Sequence, residues 1–188
     1  MPQDRRVRKS QAAIRHAFID LLHKYDLEQI TVQQISDLAD VNRSTFYTHY
    51  IDKYDLLEQI QNYHLSKYLK LLKTLYNNFE SVRVDKTKLY KFFLIVTKYI
   101  KRKESFYRAI FITYPNKGLA MEYFNATKVA YENVIEDYPN SIQNKSLFIT
   151  YSIGGQVGVI FYWLRNGCKE SPEVIAENLL ANTIKLQR

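Results

Sequence analysis

The chain has 188 residues, enough for one sizeable core or two small lobes, and its 46% hydrophobic content predicts a folded globule and not a disordered chain. Five glycines, four prolines and near-continuous 3.6-residue patterning predict an all-α fold and leave no place for a parallel-sheet enzyme. The net charge of +8 with a pI near 9.4 invites a nucleic-acid reading, yet residues 1–60 carry 8 basic against 9 acidic side chains, net −1, and residues 61–188 carry 19 against 10, net +9.

The positive excess lies at helical spacings such as Lys67, Lys70 and Lys73, which read as solvated faces. A single cysteine, Cys168, excludes an internal disulfide and a multi-cysteine metal site, and suits a reducing cytoplasm. Charges from Asp4 to Lys9 leave no apolar signal segment. The most apolar run, residues 147–164, is interrupted by Ser, Thr, Gln and three glycines, so neither export nor membrane insertion is expected.

In chain order, the basic stretch Arg5 to Lys9 reads as a flexible arm or a solvated tail. A first helix follows, carrying Ile14, Ala17, Phe18, Leu21 and Leu22 at spacings of three and four and ending near Lys24-Tyr25-Asp26. Thr31 with Gln34 three residues later spells a capping box for a second helix over residues 32–38, with apolar positions at Val32, Ile35, Leu38 and Ala39. Asp40 stands where the chain must turn and tolerates left-handed backbone, Val41 fills the angle, and Asn42 is a natural N-cap for a third short helix. There Val41, Thr45, Phe46 and Tyr50 fall inward, leaving Arg43, Ser44, Tyr47, Thr48 and His49 wholly or partly outward. Two short helices on a tight turn, with such an outer face, have the geometry to enter a DNA groove. Blander roles stand beside this: Tyr47 as a core aromatic, Thr45 packed on the second helix, His49 as a half-exposed residue by a turn.

Asp52 caps a long helix to about residue 75, with Leu57, Ile60, His64, Tyr68, Leu71 and Leu75 along one side, so that no flexible linker separates residues 1–52 from residues 53–188. Further helices are expected over residues 86–101, 104–112, 118–137, 141–165 and 172–186, about nine in all, the last opened by Ser171-Pro172-Glu173. In the penultimate one, Gly154, Gly155 and Gly158 form a flat strip. Each glycine costs roughly 1 kcal/mol relative to alanine inside a helix, so three together imply a compensating contact, with a second copy or within the chain. Tyr99, Tyr107, Phe111, Tyr123, Tyr131, Tyr151 and Tyr162 supply either ordinary core or the phenol-bearing walls of an apolar pocket.

Catalytic constellations are missing from the sequence. The histidines His16, His23, His49 and His64 form no His-Glu-x-x-His pair, and His16, Asp20 and His23, which can share a helix face, are the one conceivable metal site and a remote one. No phosphate-binding glycine loop or nucleophile elbow occurs, so no cofactor, metal or enzymatic activity is expected.

The residues Ile30-Thr-Val-x-x-Ile-x-x-Leu-Ala-x-Val-x-x-Ser-Thr-Phe-Tyr-x-His-Tyr-x-x-Lys-x-x-Leu-Leu57 resemble the helix-turn-helix of the TetR family of bacterial transcriptional regulators, with Asp26 and Asp40 standing where glycine is common. The resemblance implies that Arg43, Ser44, Thr45, Tyr47 and His49 face DNA, the last two mostly on phosphates. Thr31 and Asn42 at the helix starts, with Thr48, belong to the same surface. Lys53 matches a family lysine that meets a phosphate, and Gln33, Gln34 and the basic arm are weaker backbone or minor-groove contacts. The glycine-rich helix, Trp163-Leu-x-x-Gly167 and Ser171-Pro-Glu173 are similar to the C-terminal domain of a DhaS-like branch. Since the last two helices form a dimeric four-helix bundle in the family at large, Gly154, Gly155, Gly158 and Trp163 are expected at a homodimer interface. The seven aromatics are expected around an effector, either a small molecule or a protein. The function so implied is a cytoplasmic, homodimeric regulator of double-stranded DNA, in the first place a repressor on a palindromic operator. The alternative is a helical protein-interaction module or co-regulator that keeps the motif as scaffold, which the net −1 of residues 1–60 favours.

Overall fold

The helical patterning becomes nine α-helices and no strand among the described residues of a computed structural model, which are residues 5–77, 86–135 and 144–186. They are α1 (Arg5–Leu22), α2 (Val32–Leu38), α3 (Arg43–His49), α4 (Lys53–Asn77), α5 (Lys86–Arg102), α6 (Glu104–Arg108), α7 (Lys117–Ile135), α8 (Lys145–Arg165) and α9 (Pro172–Leu186). A 3-10 turn, Leu27–Gln29, precedes α2, and one π turn, Ala109–Thr113, follows α6. The expected helix end at residue 137 and helix start at residue 141 lie outside the described residues.

The first three helices close over Ile14, Phe18 and Leu22 of α1, Ile35 of α2 and Phe46 of α3, all buried. Fully burying such a side chain contributes about 1.5–3 kcal/mol. The core continues without a break through Leu56, Leu57 and Ile60 of α4 into Phe106 and Ile110 beside α6. Farther on, α9 lies along α5 and is fastened by polar groups as well as by Ile175 and Ala176. The buried Thr97 hydroxyl is 3.0 Å from the Pro172 carbonyl, Lys101 Nζ donates to the Cys168 carbonyl at 2.9 Å, and Lys98 pairs with Glu173 at 2.9 Å. That lysine holds the Glu173 carboxyl below the usual range. Gly167, with φ 72, turns the chain out of α8, and the Cys168 N–H returns to the Trp163 carbonyl at 2.8 Å.

Several local expectations are corrected. Arg5 to Lys9 is the opening of α1 and not a flexible arm. Asp26, where the family commonly has glycine, needs no left-handed backbone: it has φ −64 and ψ 150 and opens the 3-10 turn, its N–H donating to Gln29 Oε1 at 3.3 Å. Leu38 is 52% exposed, while Ser36 is the residue of α2 buried beside Ile35. Asn42 stands at the N-cap of α3, but its side chain accepts no cap hydrogen bond, the carbonyl serving the first turn instead. The helix expected over residues 104–112 breaks after Arg108, because the chain widens into a turn in which the Tyr114 N–H reaches the Ala109 carbonyl at 2.7 Å. Pro115 follows, and Tyr114 before it is pushed out of the helical region, at φ −126 and ψ 79.

Candidate DNA-binding interface and effector cavity

The reciprocal capping box at the start of α2 is present: Thr31 Oγ1 accepts from the Gln34 N–H at 3.2 Å and Gln34 Oε1 accepts from the Thr31 N–H at 2.8 Å. At the other end of α2 the Val41 N–H returns to the Ser36 carbonyl at 3.0 Å and the Asp40 N–H to the Asp37 carbonyl at 3.2 Å, with Asp40 itself at φ 52. This is a Schellman closure with aspartate in the position glycine usually takes. It sets the angle at which α3 departs.

Two buried aromatics, Phe46 and Tyr50, fix the rotation of α3 about its axis, and the Tyr50 hydroxyl accepts from Arg15 Nε of α1 at 3.2 Å. With that face committed inward, Arg43, Ser44, Tyr47 and Thr48 are exposed, while Thr45 and His49 are half-buried. Arg43 donates to the Tyr47 hydroxyl at 3.2 Å and its guanidinium lies 5.5 Å from the Tyr47 ring centroid, making one paired, charged and aromatic unit. His49 Nε2 lies 3.4 Å from Ser10 Oγ of α1. Thr31, Gln33, Gln34 and Asn42 are exposed alongside, Gln33 donating to Asp37 at 2.7 Å. Lys53 has a local task that its sequence position did not reveal: its ammonium donates to the carbonyls of Glu28 at 2.9 Å and Ile30 at 2.8 Å, strapping α4 to the entrance of α2.

The second set of residues surrounds a cavity of about 370 Å³ between α4, α5, α7 and α8, closed by the π turn. Tyr99, Tyr107, Phe111 and Tyr123 line it. Tyr131 stands behind the wall, its hydroxyl 2.9 Å from Nε2 of Gln156, a lining residue that the aromatic pattern missed. Tyr151 and Tyr162 do not line the cavity: they are 67% and 64% exposed on the opposite side of α8. Trp163 is likewise displaced from its expected role, since it is fully buried within the chain and donates to the Glu170 carbonyl at 3.0 Å. Gly154, Gly155 and Gly158 are exposed, and among the described residues nothing beyond the helix's own backbone and the chain neighbours lies within 4 Å of a Cβ built on any of them. Packing among the described residues therefore does not account for the strip.

Sequence pattern alone did not separate Phe92, Val96, Ile160 and Phe161, which line the cavity, from core. Gln156, an amide amid the apolar residues of α8, was the available signal. Burial raises the phenols of the cavity: Tyr68 and Tyr99 to about 12, and Tyr107 and Tyr123 well above the ordinary value. All are neutral donors at physiological pH. His64 of α4 is 2.8 Å from the Tyr99 hydroxyl and stacks on Phe106 at 3.9 Å, and burial, then the charges of Lys103 and Arg15, pushes it down to about 4. Among the described residues no group of three or more His, Cys, Asp or Glu is placed to hold a metal, and His23 instead meets Ser105 of α6 at 3.0 Å.

Residues 14–60 match the family model for bacterial regulatory proteins of the tetR family, and residues 87–185 that for a transcriptional regulator C-terminal region. Fold and matches together define a helix-turn-helix transcriptional regulator, a class of DNA-binding proteins and not of enzymes. The chain belongs to the TetR family. Over 56 residues, 29% of this chain, it is 41% identical to the uncharacterized HTH-type transcriptional regulator YxbF of Bacillus subtilis, of whose length the match spans 15%. The fold is similar to that of the fatty acid degradation regulator FadR from Bacillus halodurans, with a TM-score of 0.71 at 16% identity, covering 92% of this chain and 93% of that one. It is also similar to the dihydroxyacetone kinase operon activator DhaS, with a TM-score of 0.61 at 24% identity, covering 94% and 97%. These two likenesses concern the fold.

Proposed function

We propose that the chain is a cytoplasmic repressor that binds a palindromic operator as a homodimer and leaves it when the cavity is filled. The observation that carries this reading is the outer face of α3, where Arg43, Ser44, Tyr47 and Thr48 project from a helix fixed by buried Phe46 and Tyr50. In this reading Arg43 meets base edges, while Tyr47 and His49, with amides at the helix starts near Thr31 and Asn42, meet phosphates. Thr45 and Thr48 complete that face, Gln33 and Gln34 flank it, and Lys53 keeps one N–H beyond its two carbonyl bonds for a phosphate. Dimerisation is supported by the exposed strip of α8, where Leu147, Tyr151, Gly154, Gly155, Gly158 and Tyr162 share one side. Effector control is supported by the π turn: Phe111 lines the cavity, and α6 with this turn packs against α1. A ligand that moves it biases the placement of the helix-turn-helix.

Selection of bound fragments from genomic DNA at a stated, near-physiological salt tests this. Wild type is expected to enrich a two-fold symmetric site, and Tyr47→Ala to lose the enrichment. The competing reading, a co-regulator working through a protein partner, draws on the net −1 of residues 1–60, and takes over if wild type enriches nothing.

A further inference from the structure

We propose that the cavity takes an uncharged, apolar molecule bearing one exposed carbonyl oxygen, and that Tyr123 orients it by donating its phenolic hydrogen to that oxygen. This rests on the effector reading above and names the chemistry of that ligand. Several polar side chains of the wall are already joined to a neighbour. Thr127 Oγ1 donates to the Tyr123 carbonyl at 2.7 Å, so its one hydrogen is used and the Tyr68 hydroxyl must be the donor in its own 2.7 Å contact with Thr127. Gln156 donates to Tyr131 at 2.9 Å, and Tyr99 is joined to His64 at 2.8 Å.

The Tyr123 hydroxyl differs from these. It is buried on the α7 wall of the cavity, yet among the described residues it completes no hydrogen bond. The Tyr107 phenol acts on it, but that contact is too long or too bent to be a hydrogen bond. Burial keeps the Tyr123 phenol protonated at physiological pH, so its donor is always present. A phenol is a better donor than acceptor, because its oxygen shares a lone pair with the ring. The group that satisfies it is therefore an acceptor.

The surroundings decide which acceptor. The rings of Tyr68, Phe111 and Tyr107 stand around Tyr123 with centroids 5.0, 5.7 and 6.4 Å away, and Phe161 follows 5.5 Å beyond Phe111. All of them line the cavity. A carboxylate seated against Tyr123 would exchange its hydration for aromatic faces, which carry negative potential. A carbonyl oxygen costs far less to desolvate, and one donor serves it, while the apolar remainder of the molecule packs on the rings.

Isothermal titration calorimetry on the full chain tests this with diphenylmethane, benzophenone and diphenylacetate, three two-ring bodies carrying no acceptor, a carbonyl and a carboxylate. Benzophenone is expected to bind about tenfold more tightly than diphenylmethane, and diphenylacetate more weakly than benzophenone. Tyr123→Phe removes only the hydroxyl. It is expected to bring benzophenone down to the level of diphenylmethane while leaving diphenylmethane binding intact, which also reports that the variant is folded. Its melting midpoint is expected to hold or rise, since an unbonded hydroxyl leaves the interior. Equal binding of benzophenone and diphenylmethane, a preference that survives Tyr123→Phe, tighter binding of diphenylacetate, or a lowered midpoint would overturn the carbonyl assignment and leave the effector cavity standing. Failure of all three molecules to bind would remove both.

Discussion

Asp40 is the residue on which the angle of α3 turns. At φ 52 it occupies backbone that glycine adopts without strain and aspartate at moderate cost. Asp40→Gly is therefore expected to hold or raise stability by up to about 1 kcal/mol, and Asp40→Val, β-branched in the same conformation, to lower it by about 1–2 kcal/mol, as read from urea denaturation midpoints. Lys53 straps α4 to the entrance of α2 and, in the proposed reading, also meets a DNA phosphate. Because its ammonium bridges the carbonyls of Glu28 and Ile30, Lys53→Met is expected to cost about 1 kcal/mol of stability as well as to weaken binding to all DNA sequences alike. A thermal melt and a salt-controlled titration with operator and non-operator DNA separate the two effects. A loss confined to one operator position would show that Lys53 reads sequence instead.

At the scale of elements, α4 carries the clearest pH signature. Neutral His64 is buried between Tyr99 and Phe106, with a pKa of about 4 against an unfolded value near 6.5. As pH falls through 6.5 the unfolded chain takes up a proton that the folded chain refuses until about 4. Stability is therefore expected to decline across that window by up to about 3 kcal/mol, and His64→Gln to flatten the decline. Measured unfolding free energies at pH 7, 5.5 and 4.5 check both. The short elements were legible because each is signalled locally: the Thr31–Gln34 box fixed the start of α2, and the spacing of Phe46 and Tyr50 fixed the buried side of α3. Helix α8 was harder, being apolar on nearly all sides, so that periodicity did not separate its inner Trp163 from its outer Tyr151 and Tyr162. The division of α6 from its π turn was hidden for a related reason, since Glu104 to Ile112 reads as helix until the reach back from Tyr114 is seen.

For the whole molecule, the same helix raises the question of what covers it. By length and composition α8 would suffice to cross a membrane, and only 28% of its most apolar window is buried within the chain. Its place along α7 and α9, with the glycine strip outward, favours a second copy as cover. Gly155→Arg is expected to convert a dimer to a monomer by sedimentation while the far-ultraviolet circular dichroism stays helical. An unchanged mass would remove the strip from the interface. The helix-turn-helix was readable from spacing, but the cavity was not, because its aromatic walls and the neighbouring core share one composition. Only the tertiary placement of its lining side chains, Gln156 among them, marks it.

In the proposed homodimer two copies of α3 read one symmetric site. Hydroxyl-radical footprinting of wild-type protein on its selected operator, at stated salt, tests it most directly. Two equivalent protected patches are predicted, related by a two-fold axis and centred about one helical turn, or a whole multiple of it, apart. A single asymmetric footprint of one half-site, or uniform protection independent of sequence, would contradict it.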